Sequence, residues 1–240
     1  MDTKKPPSNW KRKSFSDYLS EFLVISFAVT IGFLADNYRE SLSDNAKELN
    51  YAKNMVRDLT RERMNVLEAI KKNERIVIAL DTFVKIRALN FDHKANADLL
   101  LKLFAENEIW SLGIIKPNET TLNQIKSAGG FNVIRPKIAD LIAELDMSFQ
   151  TVKWNEKFSY THSEETFRMI YELTDYPALW DENPEMPAMV TNDKLKLLKL
   201  FNLSADVMWT IEGYNDGLKD HLKVIDKVAK ELEGEYHLQK

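Results

Sequence analysis

Cysteine is absent from the 240 residues, which excludes disulfides, Cys-type zinc sites, iron–sulfur clusters and thiol catalysis. Glycine and proline number 7 each, about half their usual share, so turns and strands must be few. There is no phosphate-binding glycine loop, no nucleophile elbow and no HExxH motif. The histidines His93, His162, His221 and His237 include no pair at helical i,i+3 or i,i+4 spacing. His162 and Glu165 would share one helical face, but one His and one Glu fall short of a metal site. No cofactor, metal or catalytic constellation is therefore expected. What is present is 44% hydrophobic and 29% charged residues, a balance that excludes wholesale disorder and points to an all-α chain.

The longest apolar run is Tyr18 to Ala35, YLSEFLVISFAVTIGFLA, with Glu21 as its one charge. Its strongly apolar residues (Leu19, Phe22, Leu23, Val24, Ile25, Phe27, Val29, Ile31, Phe33, Leu34) contribute about −3 to −6 kcal/mol to membrane insertion. Eighteen residues of helix measure roughly 27 Å, close to the hydrocarbon thickness. Glu21 lies near one end, within reach of the interface, so its cost is below the midplane value. A buried core helix rarely stays apolar all round for this long. A cleaved signal peptide fits poorly too, because Glu21 interrupts the apolar region and a long segment precedes it. The expectation is an uncleaved signal anchor.

Orientation follows from the flanks. Lys4, Lys5, Lys11, Arg12 and Lys13 precede the span against Asp2 and Asp17, whereas a mixed, slightly acidic run follows it. Basic residues favour the cytoplasmic side. Residues 1–17 then form a basic cytoplasmic tail, 18–35 a transmembrane helix, and 36–240 an exported, periplasmic domain of a single-pass inner-membrane protein. Of the total charge of −4, the tail carries +3 and Glu21 −1, which leaves −6 on residues 36–240. An acidic exported body excludes nucleic acid as a partner.

The remainder reads as helices. Long ones are expected at about 42–89, 136–175 and 191–235, and short ones at about 95–106 and 119–128. The first carries Leu42, Ala46, Leu49, Ala52, Val56, Leu59, Val66, Ile70, Val77, Leu80 and Val84 at helical spacing. No breaker separates it from the apolar run. Asp92 or Asn96 is a candidate cap for the second helix, and Thr191 or Asn192 for the last. Pro136 suits a helical first turn, and Ile138, Leu141, Ile142, Leu145, Phe149, Val152, Phe158, Phe167, Ile170 and Leu173 form an apolar face. Residues 176–190 hold three of the seven prolines and read as a loop, and Asn202-Leu-Ser204 offers a break in the last helix. The sum is an N-terminal transmembrane helix followed by an elongated antiparallel helical bundle. Aromatic residues at helical spacing, Trp110, Trp154, Trp180, Trp209, Tyr171 and Tyr176, are read as core or as the lining of a ligand pocket.

Three features together resemble an uncharacterised bacterial family, a domain of unknown function found in single-span, membrane-anchored helical proteins of about this length. One is the glutamate-bearing span itself. The second is the juxtamembrane Asp36-Asn37-Tyr38-Arg39-Glu40, where the family reads Asn-Asn-Trp-Asn-Glu, so Tyr38 departs from it. The third is Thr121-Leu-Asn-Gln-Ile125-Lys126-Ser127-Ala-Gly129-Gly130 with Val133-Ile134 after it, similar to the family's helix stop. The last hundred residues carry no matching motif. The resemblance implies topology and assigns no activity. Independently of it, Gly129 suits the left-handed end of a helix and Gly130 a close backbone passage.

Within the span, Glu21, Ala28, Gly32 and Ala35 fall on one side of a helix, and Ala28-x-x-x-Gly32 is a small-xxx-small pair that lets another helix approach. The expected partners are the lipid bilayer and either a second copy or another membrane protein. The functional expectation is a membrane-anchored, non-catalytic interaction or scaffold protein of the cell envelope. The alternative is a ligand-sensing periplasmic bundle that signals through a partner.

Overall fold

The computed structural model describes residues 14–106, 111–115, 120–127, 130–175 and 189–238. Every regular element among them is helical: α1 (Phe15–Lys85), α2 (Lys94–Glu106), α3 (Thr120–Ser127), α4 (Pro136–Leu173) and α5 (Lys194–Glu235), with 3-10 turns at Ile86–Ala88 and Gly130–Asn132. The one β-type contact is an isolated bridge between Thr174 and Met189. The chain divides into two compact units, Met1–Leu49 and Asn50–Lys240.

The helix expected from Leu42 has no start of its own. α1 is one α-helix of 71 residues, with Gly32 as its single glycine and no proline between Phe15 and Lys85. At its start the Ser14 N–H donates to the Asp17 carboxylate at 2.8 Å, one half of a capping box, and the Ser14 backbone carbonyl accepts from Asp17 N. It ends in the 3-10 turn, after which Leu89 is extended.

In the second unit two apolar clusters form the core. One gathers Leu59 and Val66 of α1, Ile125 of α3, Ile142 and Val152 of α4, and Leu218 and Ile225 of α5. The other gathers Leu80 and Phe83 of α1, Leu100 and Phe104 of α2, Leu173 of α4, and Leu200 and Ile211 of α5. Cross-pairs fix the register of α4 against α5. Glu144 meets Lys227, Ser148 meets His221, Ser159 meets Thr210 and Glu172 meets Lys196, so the two helices run in opposite directions.

Three local expectations are corrected. Asp193, not Thr191 or Asn192, caps α5, accepting from Leu195 N at 2.8 Å and Lys196 N at 3.3 Å, while Thr191 Oγ1 takes the Asp193 N–H. Neither Asp92 nor Asn96 caps α2. Asn96 donates to Asn90 O, and Asp92 accepts from Asn192. α5 passes through Asn202-Leu-Ser204 unbroken, the Ser204 hydroxyl turning back onto Leu200 O at 2.8 Å.

The middle of α4 departs from the apolar-inside pattern. Ser159, Ser163 and Thr166 are buried there, whereas Phe158, expected in the core, is exposed. Each buried hydroxyl has an acceptor: Ser159 on Thr210 O, Ser163 on Ser159 O, Thr166 on His162 O. Satisfied in this way, small polar residues let α5 come close at little desolvation cost. The loop expected at 176–190 lies mostly outside the described residues.

Candidate functional site

The first unit presents an 18-residue window of mean hydropathy 1.8, none of it buried inside the protein. Phe22, Ile25, Phe27, Ile31 and Phe33 all point outward. Each Å² of such surface removed from water is worth about 25 cal/mol, so this helix gains strongly from an apolar surrounding. Its own polar groups are served internally, with Thr30 Oγ1 on Ser26 O at 2.8 Å and Ser20 Oγ on Asp17 O at 2.9 Å. Glu21, Ala28, Gly32 and Ala35 all lie exposed on α1, and a Cβ placed on Gly32 would meet nothing within 4 Å. Asn37, Tyr38 and Glu40 follow on the same helix, also exposed, with Arg39 3.5 Å from Asp36.

The residues of the helix-stop motif take structural places in the second unit. Thr121 donates to Asp58 Oδ2 through both its N–H (3.2 Å) and its hydroxyl (2.6 Å), so a buried carboxylate of α1 caps the start of α3. Ile125 and Ile134 are buried, Lys126 pairs with Asp146 at 2.9 Å, and the Ser127 hydroxyl returns to Asn123 O. A Cβ on Gly130 would lie 3.1 Å from Ile125 Cα and 3.3 Å from Tyr51, a close approach that only glycine makes easily. Gly129 lies outside the described residues.

A buried polar centre has no counterpart in the sequence reading. His221 of α5, 1% exposed, sets Nε2 at 2.9 Å from Glu62 Oε1 of α1 and Nδ1 at 2.7 Å from Ser148 Oγ of α4. Ser148 Oγ is also 2.8 Å from Leu145 O. A carboxylate only accepts, so Nε2 carries the proton shared with Glu62. Ser148 Oγ gives its one proton to Leu145 O and sits against Nδ1, and the Phe149 ring packs 5.9 Å away. Serine, histidine and glutamate in a row resemble a nucleophilic relay, but here Glu62 and His221 are both buried between packed helices. Its chemistry is that of a three-helix clasp.

Beside it, burial pushes the Tyr214 phenol well above its usual range, and the neighbouring Glu156 charge adds to this. Burial likewise raises the Glu156 carboxyl, against the opposing charge of Lys153. The Tyr214 hydroxyl lies near Glu156 and the Ile115 backbone without reaching a hydrogen bond to either.

Among the described residues the aromatic side chains read as core or pocket lining stand outside. Trp154, Trp209 and Tyr171 are exposed, and Trp110, Trp180 and Tyr176 lie outside the described residues. His162 and Glu165 do share a face, yet His162 turns to Phe158 O and Asp206 while Glu165 turns to Lys199. Among the described residues no three His, Asp or Glu side chains converge as metal ligands would.

A concavity lies elsewhere, where the chain leaving α1 meets the start of α5. A cleft of about 590 Å³ has Phe91, Leu197 and Phe201 as its floor and Arg87, Asp92 and Lys194 among its walls. That volume suits a small molecule. No family model, curated protein or solved structure matches the chain.

Proposed function

We propose that this chain is a membrane-anchored, non-catalytic interaction or scaffold protein of the bacterial cell envelope. Residues 18–35 are its single transmembrane helix, and the later helices form an antiparallel bundle outside the membrane. One observation carries this reading: an 18-residue helical window of mean hydropathy 1.8 buries none of itself in the protein. Lipid is the cover that suits such a surface. Lys4, Lys5, Lys11, Arg12 and Lys13 ahead of the span favour a cytoplasmic N-terminus and a periplasmic body. The glutamate-bearing span and the two shorter motifs support membership in the uncharacterised single-span family. The face Glu21, Ala28, Gly32 and Ala35 is the proposed contact within the membrane, with a second copy or another membrane protein.

Two reporters fused after Lys240, one active only in the cytoplasm and one only outside it, test the topology. Activity of the external reporter alone is expected, and activity of the cytoplasmic one overturns the orientation. Within the membrane, Gly32→Leu should block close approach and reduce crosslinking, whereas Leu23→Ile on the opposite face should leave it unchanged.

The cleft of Arg87, Phe91, Lys194 and Phe201 favours a second reading, a ligand-sensing bundle. A small molecule co-purifying with the intact protein, and lost in Phe201→Trp, is the result that would support it.

A further inference from the structure

Two tryptophans stand out on the surface of the second unit: Trp154 of α4 is 64% exposed and Trp209 of α5 is 75% exposed. On α4, Met147, Trp154 and Phe158 are spaced by seven and four residues and so share one side of the helix. On α5, Trp209 and Gly213 share a side, and a Cβ on Gly213 would meet nothing within 4 Å. The contact of His162 with Asp206, at 3.8 Å, puts the two stripes on the same outer face of the helix pair. Trp154 and Phe158 stack with centroids 5.5 Å apart and planes inclined by 10°, so the ridge is ordered in advance. Small hydroxyl residues take the inner contact with α5, which leaves the large rings outside. Exposed, rigid aromatic rings in one contiguous patch mark contact surfaces.

We infer that this outer face of α4 and α5 binds a second copy of the chain, related to the first by a two-fold axis running along the helices. The choice of partner rests on charge and register. The α4 edge of the patch carries Lys157, and the α5 edge carries Glu212, both exposed and neither in an ion pair among the described residues. Pairing of Ser159 with Thr210 and Ser148 with His221 sets Lys157 level with Glu212 along the helix pair. Within one copy the two side chains point away from each other at opposite edges. A two-fold axis along the helices lays α4 of one copy over α5 of the other without changing height. Lys157 then faces Glu212 of the second copy, twice by symmetry, and Trp209 faces the ridge beside Phe158. The surface is self-complementary in this arrangement. The contact is short, so tethering in one membrane, which raises the effective concentration, strengthens it.

This inference rests on the interaction reading and names its partner and surface. The test uses the full chain in phospholipid nanodiscs or detergent micelles. Because native cysteine is absent, Lys157→Cys and Glu212→Cys can be placed on differently tagged copies, mixed and oxidised. A disulfide between the two tags is expected, and none between two Lys157→Cys copies. In an association assay Trp209→Ser should weaken self-association by tenfold or more, on the order expected for a central aromatic anchor. Lys157→Glu should weaken it by about tenfold, and Lys157→Glu combined with Glu212→Lys should restore it. These positions are exposed, so circular dichroism should be unchanged. If Gly32→Leu abolishes association while Trp209→Ser and the charge reversal have no effect, copies meet through α1 alone. The inference is then wrong and the interaction reading stands. A wild-type chain that stays monomeric, or that engages only a different protein, overturns the inference as well.

Discussion

His221 Nε2 and Glu62 Oε1 lie 2.9 Å apart across the contact of α5 with α1, with both side chains shut off from solvent. The other ring nitrogen reaches Ser148 on α4, so one imidazole ties three helices together at a single level. Such a group costs free energy to bury and repays it only while every partner is in place.

Loss of one partner should therefore be expensive. Glu62→Ala and His221→Ala are each expected to destabilise the fold by about 3 kcal/mol, because the remaining side chain is left buried and unpaired. Glu62→Leu with His221→Leu should cost clearly less than the sum of the two alanine changes. Denaturant unfolding followed by circular dichroism checks this, and additive costs would show that the two residues do not act as a pair.

Tyr214 behaves in the opposite way. Its ring is fully buried, but its hydroxyl makes no hydrogen bond, so Tyr214→Phe should be neutral or mildly stabilising. A loss of about 2 kcal/mol or more would reveal a partner for the hydroxyl.

Glu156 gives the fold a pH dependence. Burial raises its carboxyl above the ordinary value of 4.5, so the folded chain holds that proton more tightly than the unfolded one. The stability it contributes is fully present below pH 4.5 and is lost as pH rises through the raised value. Glu156→Gln should flatten the stability profile just above pH 4.5 and leave other regions of the profile unchanged.

Two glycines should respond oppositely to alanine. A Cβ on Gly113 would lie 2.8 Å from Ala69 O and 2.9 Å from Asn73 Oδ1. It would also disturb the paired bonds of Asn73 to the Gly113 N–H (2.7 Å) and carbonyl (3.2 Å). Gly113→Ala is expected to cost about 1–3 kcal/mol. Gly213, in open space within α5, should gain up to about 1 kcal/mol on the same change. Melting temperatures of the two variants decide the matter.

The helical character of the chain was legible in its spacing and its shortage of glycine and proline. The same shortage leaves no glycine or proline between Phe33 and Lys85, but spacing alone did not decide whether the apolar run and the helix from Leu42 join, as they do in α1. Caps were harder to place. Thr191, Asn192 and Asp193 are all able to cap, and the backbone geometry after Asp193 selects among them. Trp154 and Trp209 stand outside against expectation because an apolar residue at helical spacing is assigned to the core by default. On α4 the inner side is held by Ser159, Ser163 and Thr166, whose hydroxyls are satisfied by backbone carbonyls that no sequence pattern announces. The clasp of Glu62, Ser148 and His221 was hidden for another reason: its members lie 73 and 159 residues apart. Single residues on three helices leave no motif.

The central claim is that residues 18–35 hold this chain in a membrane. Washing membranes of expressing cells with alkaline carbonate, which strips peripheral proteins and leaves spanning ones in place, tests it most directly. The full-length chain should remain with the membrane pellet, and the double variant Ile25→Arg with Val29→Arg, which places two charges mid-span at a cost of about 2.5–3.5 kcal/mol each, should appear in the supernatant. Release of the intact wild-type chain by the carbonate wash would contradict the account.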